Sequence, residues 1–393
     1  MFSKPSLLEL NPKKILIRST NWIGDAVMTT PAVHSIRENF PEAEITMLAV
    51  PWVADIFRMS PDVDTILVYD KKHLYEGKIK GPVNLAKDLK QFSFDAAFLL
   101  QNAFEAAVIA KMAGIPIRVG YKRDGRAMLL THGVTISDEI RKKHQVHYYQ
   151  NILKELGLKI GPDHLRLPLS EKLDTWAEGF VNCLKSQGPV SIHEQMQQAE
   201  ISEIAEIKPL TQGGTAIPVI GFNPGAAFGP AKQWPVEKFA QLAAIISHNY
   251  GDDGCAIMVF GTDVDSKAAL QIREFSVRTP HHVLDMTGKT SLKQAMGLIK
   301  YCDAFVTNDS GLMHIAAGLG TPTIAIFGST DHIATGPYSK NAIILRREME
   351  CSPCLQTHCP KGHLNCLESI SSMDVYEDLV TMLSAKTIET SKD

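Results

Sequence analysis

The sequence predicts an α/β protein built from two Rossmann-like domains in tandem, and three observations carry this reading. Short apolar runs alternate with stretches of helical spacing, the signature of parallel strands covered by helices on both faces. The alternation comes as two series with a polar stretch between them. The length of 393 residues exceeds what one ordinary domain needs.

In the first series, Lys14–Arg18 (KILIR) reads as the opening strand, followed by a helix over Asp25–Phe40 that Pro31 makes uncertain in its early part. Further strands are expected at Glu44–Val50, Thr65–Tyr69, Asp95–Leu100 and Ile117–Gly120, with helices around Asn84–Gln91 and Phe104–Ala113. The second series starts at Pro218–Phe222 and continues with Cys255–Phe260, His282–Met286, Asp303–Thr307, Thr323–Phe327 and Ile343–Leu345. Its helices are expected at Pro235–Ser247, Val264–Phe275, Ser291–Lys300 and Ser310–Leu319. Between the series, Ser186–Thr215 is polar and poor in aromatics and ends in Gly213-Gly214, so it reads as a linker with a helix-competent centre, HEQMQQAEISEIAEI. The expected division is therefore a domain over 1–185, a linker over 186–216, and a domain over 217–393 that ends in a cysteine-rich segment and a helix.

Composition narrows the function classes. Hydrophobic residues at 45% and charged residues at 21% suit a full globular core and exclude a disordered or collagen-like chain. Forty Lys and Arg against 43 Asp and Glu leave a net charge of −3, which argues against a general nucleic-acid binder. The start, MFSKPSLLEL, lacks the apolar stretch of a secretory signal. The longest run without a charged residue, Ser310–Thr330, is broken by glycines and Pro322 and reads as helix, turn and buried strand rather than a membrane span. Seven cysteines, an odd number, fit reduced thiols in a cytoplasmic protein.

Two Rossmann-like domains commonly face each other across a cleft, with ligands at the carboxyl ends of the strands, so loops directly after strands are where chemistry is expected. After the first strand comes Ser19-Thr20-Asn21-Trp22-Ile23-Gly24-Asp25. It has one glycine where a dinucleotide loop needs three, which argues against NAD there. Asp25 has two readings, a helix N-cap or a carboxylate that takes a proton from an attacking hydroxyl. In the second domain, Asn223-Pro224-Gly225-Ala226 is followed by Lys232-Gln233-Trp234-Pro235. A cation beside a helix start makes a plausible diphosphate site, although a surface Lys near a turn fits the same letters. Thr307-Asn308-Asp309-Ser310-Gly311-Leu312-Met313-His314 enters a helix whose first N–H groups suit phosphate. His314 by itself reads more readily as a structural histidine. Phe260-Gly261-Thr262-Asp263 ends another strand, and Asp263 or Asp265 is a candidate ribose contact.

Taken together and in order, NWIGDAVMTTPA, FNPGAAFGPAKQWP, FGTDVDS and VTNDSGLMHIAAGLGTPTIAIFGSTD resemble the heptosyltransferases of glycosyltransferase family 9, over roughly residues 13 to 385. The resemblance implies a GT-B fold and transfer of L-glycero-D-manno-heptose from ADP-heptose to the first heptose of the inner core on Kdo2-lipid A. It gives Asp25 the position of the family's proposed general base. Lys232 falls at a donor-diphosphate contact, Asp309-Ser310-Gly311 at the diphosphate-binding turn with His314 behind it, and Asp265 or Asp263 at a donor-sugar or ribose contact. Asn223 and Gly225 join this donor set. Asn21, Trp22, Lys122, Arg123 and Arg126 form the candidate acceptor set. The last three belong to a segment, Arg118–Lys143, with seven Lys and Arg against three acids, where cations suit a phosphorylated, Kdo-bearing acceptor. A solvated face is the plainer reading of Arg141–Lys143.

Neither metal nor other cofactor is required by this chemistry. Cys351-x2-Cys354-x4-Cys359-x6-Cys366 contains one zinc-type half-site followed by an irregular second half, so a structural zinc and loop thiols or a disulfide stand as alternatives. The expected location is cytoplasmic, with peripheral contact at the inner face of the inner membrane. Other readings are an enzyme that acts on Kdo2-lipid A lacking the first heptose, another GT-B transferase or epimerase using UDP-sugars, and a non-catalytic carbohydrate- or lipid-binding protein.

Overall fold

A computed structural model describes residues 6–198, 217–250, 254–275 and 283–390. The chain divides into two compact units, residues 1–168 and 169–393.

Unit 1 is built on six parallel strands: β1 (Lys14–Arg18), β2 (Glu44–Ala49), β3 (Thr65–Val68), β4 (Ala96–Leu99), β5 (Ile117–Tyr121) and β6 (His132–Val134), in the order β3-β2-β1-β4-β5-β6. Central strands buried on both faces read as continuous apolar runs, which is why β1, β2 and β4 fall within a residue or two of their expected limits. The helix after β1 spans Ile23–Asn39 and runs unbroken through Pro31. Proline removes one N–H from the ladder and leaves the carbonyl four residues earlier unserved. Here Val27 O instead accepts the Thr30 hydroxyl at 2.7 Å. Two helices, Pro51–Phe57 and Gln145–Lys154, and strand β6 were not expected from the sequence.

Unit 2 repeats the architecture with β7 (Val219–Asn223), β8 (Ala256–Val259), β9 (Val283–Asp285), β10 (Ala304–Asn308), β11 (Thr323–Phe327) and β12 (Ala342–Arg346), in the order β12-β11-β10-β7-β8-β9. Counted within each unit, the two strand orders are the same, that of doubly wound nucleotide-binding sheets. The core of unit 2 gathers Phe222, Trp234, Phe239, Ile246, Ile257, Val306 and Ile326, closed by Leu367, Ile370, Val375 and Leu379 from the C-terminal region. Its terminal helix spans Ser372–Thr390.

The division at 168/169 departs from the expected boundary near 186. Residues 169–185 belong to unit 2 because the helix Glu171–Gln198, broken at Gly188, is docked there. Asp174 accepts from Lys300 Nζ at 2.6 and 2.8 Å and from Tyr301 Oη at 3.0 Å. Lys185 pairs with Asp303 at 2.9 Å. Most of the expected linker, residues 199–216, lies outside the described residues. No described helix is long and apolar enough to cross a membrane. Ser310–Thr330 instead forms the helix Gly311–Leu319, a turn and β11.

Candidate functional site

In a doubly wound sheet, ligands gather where the strand order reverses, outside the carboxyl ends of the two central strands. In unit 2 those strands are β7 and β10, and the motifs singled out in the sequence fall there. Asn223, the last residue of β7, is buried; its Oδ1 accepts the Ser310 hydroxyl at 2.6 Å and the Thr307 hydroxyl at 3.2 Å. Ser310 is the N-cap of the helix Gly311–Leu319 and accepts from Met313 N–H. That leaves the N–H groups of Gly311 and Leu312 outside the intrahelical ladder at the positive end of the helix. His314 is buried one turn into the same helix.

Lys232 closes a 3-10 turn, Pro230–Lys232, and its Nζ lies 2.6 Å from Asp309 Oδ2. Both side chains are largely buried, at 14% and 4% exposure, and the Thr330 hydroxyl donates to the same carboxylate oxygen at 2.5 Å. The ammonium also sits 4.9 Å from the centre of the Phe228 ring. Trp234 fixes this turn from behind. Its backbone N–H donates to Asn308 Oδ1 at 2.9 Å and its indole to Ile370 O at 3.0 Å. Gly225 faces Asp265 so closely that a Cβ there would stand 2.4 Å from the carboxylate. Asp265 accepts from the Thr262 N–H and hydroxyl at 2.8 and 3.0 Å, whereas Asp263 is exposed. The structure thus forms two neighbouring polar groups at the end of β10, Asn223 with Thr307 and Ser310 and Lys232 with Asp309 and Thr330; Thr307 and Thr330 were not chosen from the sequence.

In unit 1 the reversal falls between β1 and β4. The N-cap of the helix after β1 is Trp22, which is exposed, and Asp25 occupies the third helical position, so the N-cap reading of Asp25 does not hold. Asp25 is half-buried and accepts from the Tyr149 hydroxyl at 3.4 Å. Burial, first, and the Asp25 charge together push the Tyr149 phenol well above its ordinary pKa. Asn21 is held by Arg18, whose Nη2 donates to Asn21 Oδ1 at 2.9 Å, while its Nη1 reaches Ser19 O and Leu48 O. Burial lowers the Arg18 pKa to about 10. Neither Tyr149 nor Arg18 was picked from the sequence; the helical spacing of Val146, Tyr149 and Leu153, all buried, is the signal that could have placed Tyr149 inward.

The acceptor set splits. Lys122 and Arg123 are exposed, and Arg123 reaches the Tyr148 hydroxyl at 3.5 Å. Arg126, in contrast, is fully buried, with its guanidinium spent on Tyr121 O at 2.9 Å, Gln101 O, Leu99 O at 3.4 Å and Asn102 Oδ1 at 3.0 Å. Burial lowers its pKa to about 10. Four of its five N–H donors are thus committed, three to main-chain carbonyls and one to Asn102, in a side chain with no exposed surface, so Arg126 reads as a structural arginine. Arg118 is similar, donating to Leu129 O and Ile115 O. Arg141 pairs with Asp138 within the short helix Asp138–Arg141, and Lys143, just past its end, pairs with Glu139, in keeping with a solvated face. The four clustered cysteines are free thiols.

Two doubly wound sheets, each with charged and polar side chains at the carboxyl ends of its central strands, define an α/β protein of the nucleotide-binding type. The chain matches glycosyltransferase family 9 (heptosyltransferase) over residues 83–365 and belongs to that family; it is a glycosyltransferase with the GT-B class of α/β fold. It is 29% identical to lipopolysaccharide heptosyltransferase 2 of Escherichia coli over 94% of this chain and 98% of that protein. With lipooligosaccharide heptosyltransferase 2 of Haemophilus ducreyi the identity is 32%, over 85% and 88% of the two chains. The solved structure of E. coli ADP-heptose lps heptosyltransferase II superposes with a TM-score of 0.73 at 26% identity, covering 95% of this chain and 99% of that one.

Proposed function

We propose that this glycosyltransferase moves L-glycero-D-manno-heptose from ADP-heptose to the first heptose of the lipopolysaccharide inner core, heptosyl-Kdo2-lipid A, with inversion at the anomeric carbon. Heptose transfer in the inner core is supported by the similarity to heptosyltransferase 2 proteins over 85% to 95% of this chain. The observation that carries the reading is the Lys232–Asp309–Thr330 group beside the Ser310-capped helix. It supplies a cation and main-chain N–H donors at one point, which is what a departing diphosphate needs.

In the reaction, the bond from the anomeric carbon to ADP breaks as the acceptor oxygen attacks. The sugar passes through an oxocarbenium-like state, as in glycoside hydrolysis, and negative charge develops on the ADP β-phosphate. Lys232 and the N–H groups of Gly311 and Leu312 offset that charge with dipoles already in position. Asn223 and His314 support the turn from behind, Gly225 permits close backbone approach of the donor, and Asp265 or Asp263 contacts the ribose or donor sugar. Asp25 accepts the proton of the attacking hydroxyl, with Tyr149 orienting its carboxylate. Asn21, Trp22, Lys122 and Arg123 bind the acceptor, whose phosphates and Kdo carboxylates suit exposed cations. The work is cytoplasmic, with peripheral contact at the inner membrane surface through this substrate.

The test is transfer from ADP-heptose to heptosyl-Kdo2-lipid A, with Kdo2-lipid A as the parallel acceptor and UDP-sugars as parallel donors. Preference for Kdo2-lipid A overturns the acceptor assignment, and turnover of UDP-sugars alone overturns the donor. Asp25→Asn is expected to retain ADP-heptose binding while turnover falls by at least about 100-fold, the span of general-base catalysis. Near-normal turnover removes Asp25 from the base role.

A further inference from the structure

The large apolar side chains that unit 1 leaves in solvent are not scattered over it. Among its described residues the six most exposed, from 49% to 85%, are Trp22, Trp52, Leu74, Ile79, Phe104 and Met128. Five of them follow strand ends. Trp22 comes after β1 and Trp52 after β2, Leu74 and Ile79 lie between β3 and the helix Lys80–Lys90, and Phe104 opens the helix that follows β4. The sheet is parallel throughout, so these five stand at its carboxyl end. Met128 lies on the chain that returns from β5 to β6. Single exposed apolar residues are ordinary, whereas a set gathered at one end marks a contact surface.

Neighbouring loops at this end are fastened to one another. The Trp52 indole donates to Asn21 O at 2.8 Å, which ties the β2 loop to the β1 loop. Lys71 Nζ pairs with Glu105 at 2.7 Å, and the Tyr69 hydroxyl donates to the same carboxylate at 3.3 Å, which joins the β3 and β4 loops. The Phe104 ring passes Gly125 so closely that a Cβ there would stand 3.9 Å from it, β4 loop to β5 loop. The exposed side chains are thus carried on braced turns.

Cations share the same end. Lys72, Lys78 and Lys80 flank Leu74 and Ile79, and Lys122 follows β5; all four are exposed. On the segments 70–80 and 122–128, Lys71 and Arg123 are matched by Glu105 and Asp124, and Arg126 is buried. The four lysines that remain face Asp70 and Glu76, a positive excess on a chain whose net charge is −3. The cores of protein–protein interfaces are depleted in lysine and enriched in arginine. Lysines set around exposed Trp, Leu and Ile instead suit anionic headgroups lying over an acyl boundary, the level at which tryptophan also concentrates.

We propose that the carboxyl-end loops of unit 1 form a docking surface for an anionic phospholipid bilayer. Trp52, Leu74, Ile79 and Phe104 enter the headgroup layer, and Lys72, Lys78 and Lys80 meet its phosphates. The contact is made by the protein's own side chains and needs no substrate. It rests on the proposed function at one point, the choice of a lipid partner. Trp22 is the N-cap of the helix that carries Asp25, so the surface reaches the loop where a lipid-borne acceptor is to be bound.

The test is co-sedimentation of the full chain with vesicles of phosphatidylethanolamine and phosphatidylglycerol that contain no lipid A, beside vesicles of phosphatidylcholine alone. The chain is expected to sediment with the anionic vesicles, to be released by raised salt, and to bind the neutral ones at least about tenfold more weakly. Leu74→Asp/Ile79→Asp and, separately, Lys72→Glu/Lys78→Glu are each expected to lower the partition coefficient by about tenfold or more. Both pairs lie on an exposed loop outside the catalytic and binding groups. Turnover of a deacylated, water-soluble acceptor should therefore stay unchanged, which also reports that each variant is folded, while turnover of acceptor embedded in vesicles falls. If one pair does not fold, the other decides. Absence of binding to anionic vesicles overturns the proposal, as does undiminished binding in either folded variant. Self-association in place of vesicle binding, lost in Leu74→Asp/Ile79→Asp, assigns the surface to a second copy and overturns the bilayer. Vesicle binding without heptose transfer to any acceptor leaves the surface standing and overturns the proposed function instead.

Discussion

Lys232 carries two duties that mutation can separate. Its ammonium neutralises the buried Asp309 carboxylate at 2.6 Å, and it is the cation proposed for the donor diphosphate. Lys232→Met strands a nearly inaccessible charge, with an expected loss of about 3 kcal/mol in unfolding free energy and loss of ADP binding. The double variant Lys232→Met/Asp309→Asn is expected to recover most of the stability by denaturant titration but none of the binding by calorimetry. Recovery of both leaves the pair a purely structural one. Arg126 makes the opposite case. Arg126→Met removes four hydrogen bonds from buried acceptors, so it should destabilise unit 1 by about 2–4 kcal/mol. An acceptor-binding arginine would instead raise acceptor KM with the melting temperature unmoved. In the sequence Arg126 looked like its neighbours Lys122 and Arg123, because letters show charge but not where a guanidinium finds its carbonyls. Tyr149 escaped notice for a related reason. In QVHYYQNILK an inward tyrosine reads as core, and only the fold sets its hydroxyl beside Asp25.

At the scale of elements, the strands were the most legible part, because a parallel strand buried on both faces has little option but to be apolar. Strand β6, three residues long with a histidine and a glycine, offered no such run. The helix Glu171–Gln198 went unassigned because its flank is polar, and what allocates it to unit 2 is a set of contacts more than a hundred residues away in sequence. One of these is titratable. Hydrogen bonds from Lys300, first, and then Tyr301 hold the Asp174 carboxyl below the ordinary aspartate value of 3.8. A depressed folded-state pKa gives stability that is fully present above the unfolded value and is lost as pH falls through the folded one. Asp174→Asn is therefore expected to lower the melting temperature at neutral pH. The gap from wild type should close as the pH falls below about 3.8, the ordinary aspartate value. A gap that stays constant over that range assigns the effect to packing instead.

For the molecule as a whole, the sequence motifs come together in the fold, whereas the expected domain boundary does not coincide with the division of the structure. Asn223 and Lys232 are far from Asp309 and Ser310 in sequence, yet the two pairs stand at or just beyond the carboxyl ends of β7 and β10, which the doubly wound order sets side by side at the centre of one sheet. Topology thus explains why loop letters after β7 and β10 could be read together. Nothing comparable marks a boundary, since a polar stretch of chain is compatible with a linker and with a helix docked along one face. Two separate cores carry a calorimetric expectation. Unfolding should show two transitions, or a van't Hoff enthalpy below the calorimetric one. ADP should raise only the transition belonging to unit 2, by mass action. A single two-state transition shifted as a whole by ADP overturns this expectation.

Each sheet takes all six of its strands from one continuous stretch, the first finished at Val134 and the second begun at Val219. This order has a consequence during synthesis. At about 5–20 residues per second, the ribosome spends on the order of 4–17 s between those two points. That interval is far longer than collapse or helix formation requires. The first sheet can close around its own partners before any strand of identical order exists to compete for the same edges, so mispairing between the two look-alike halves is avoided by timing rather than by sequence difference.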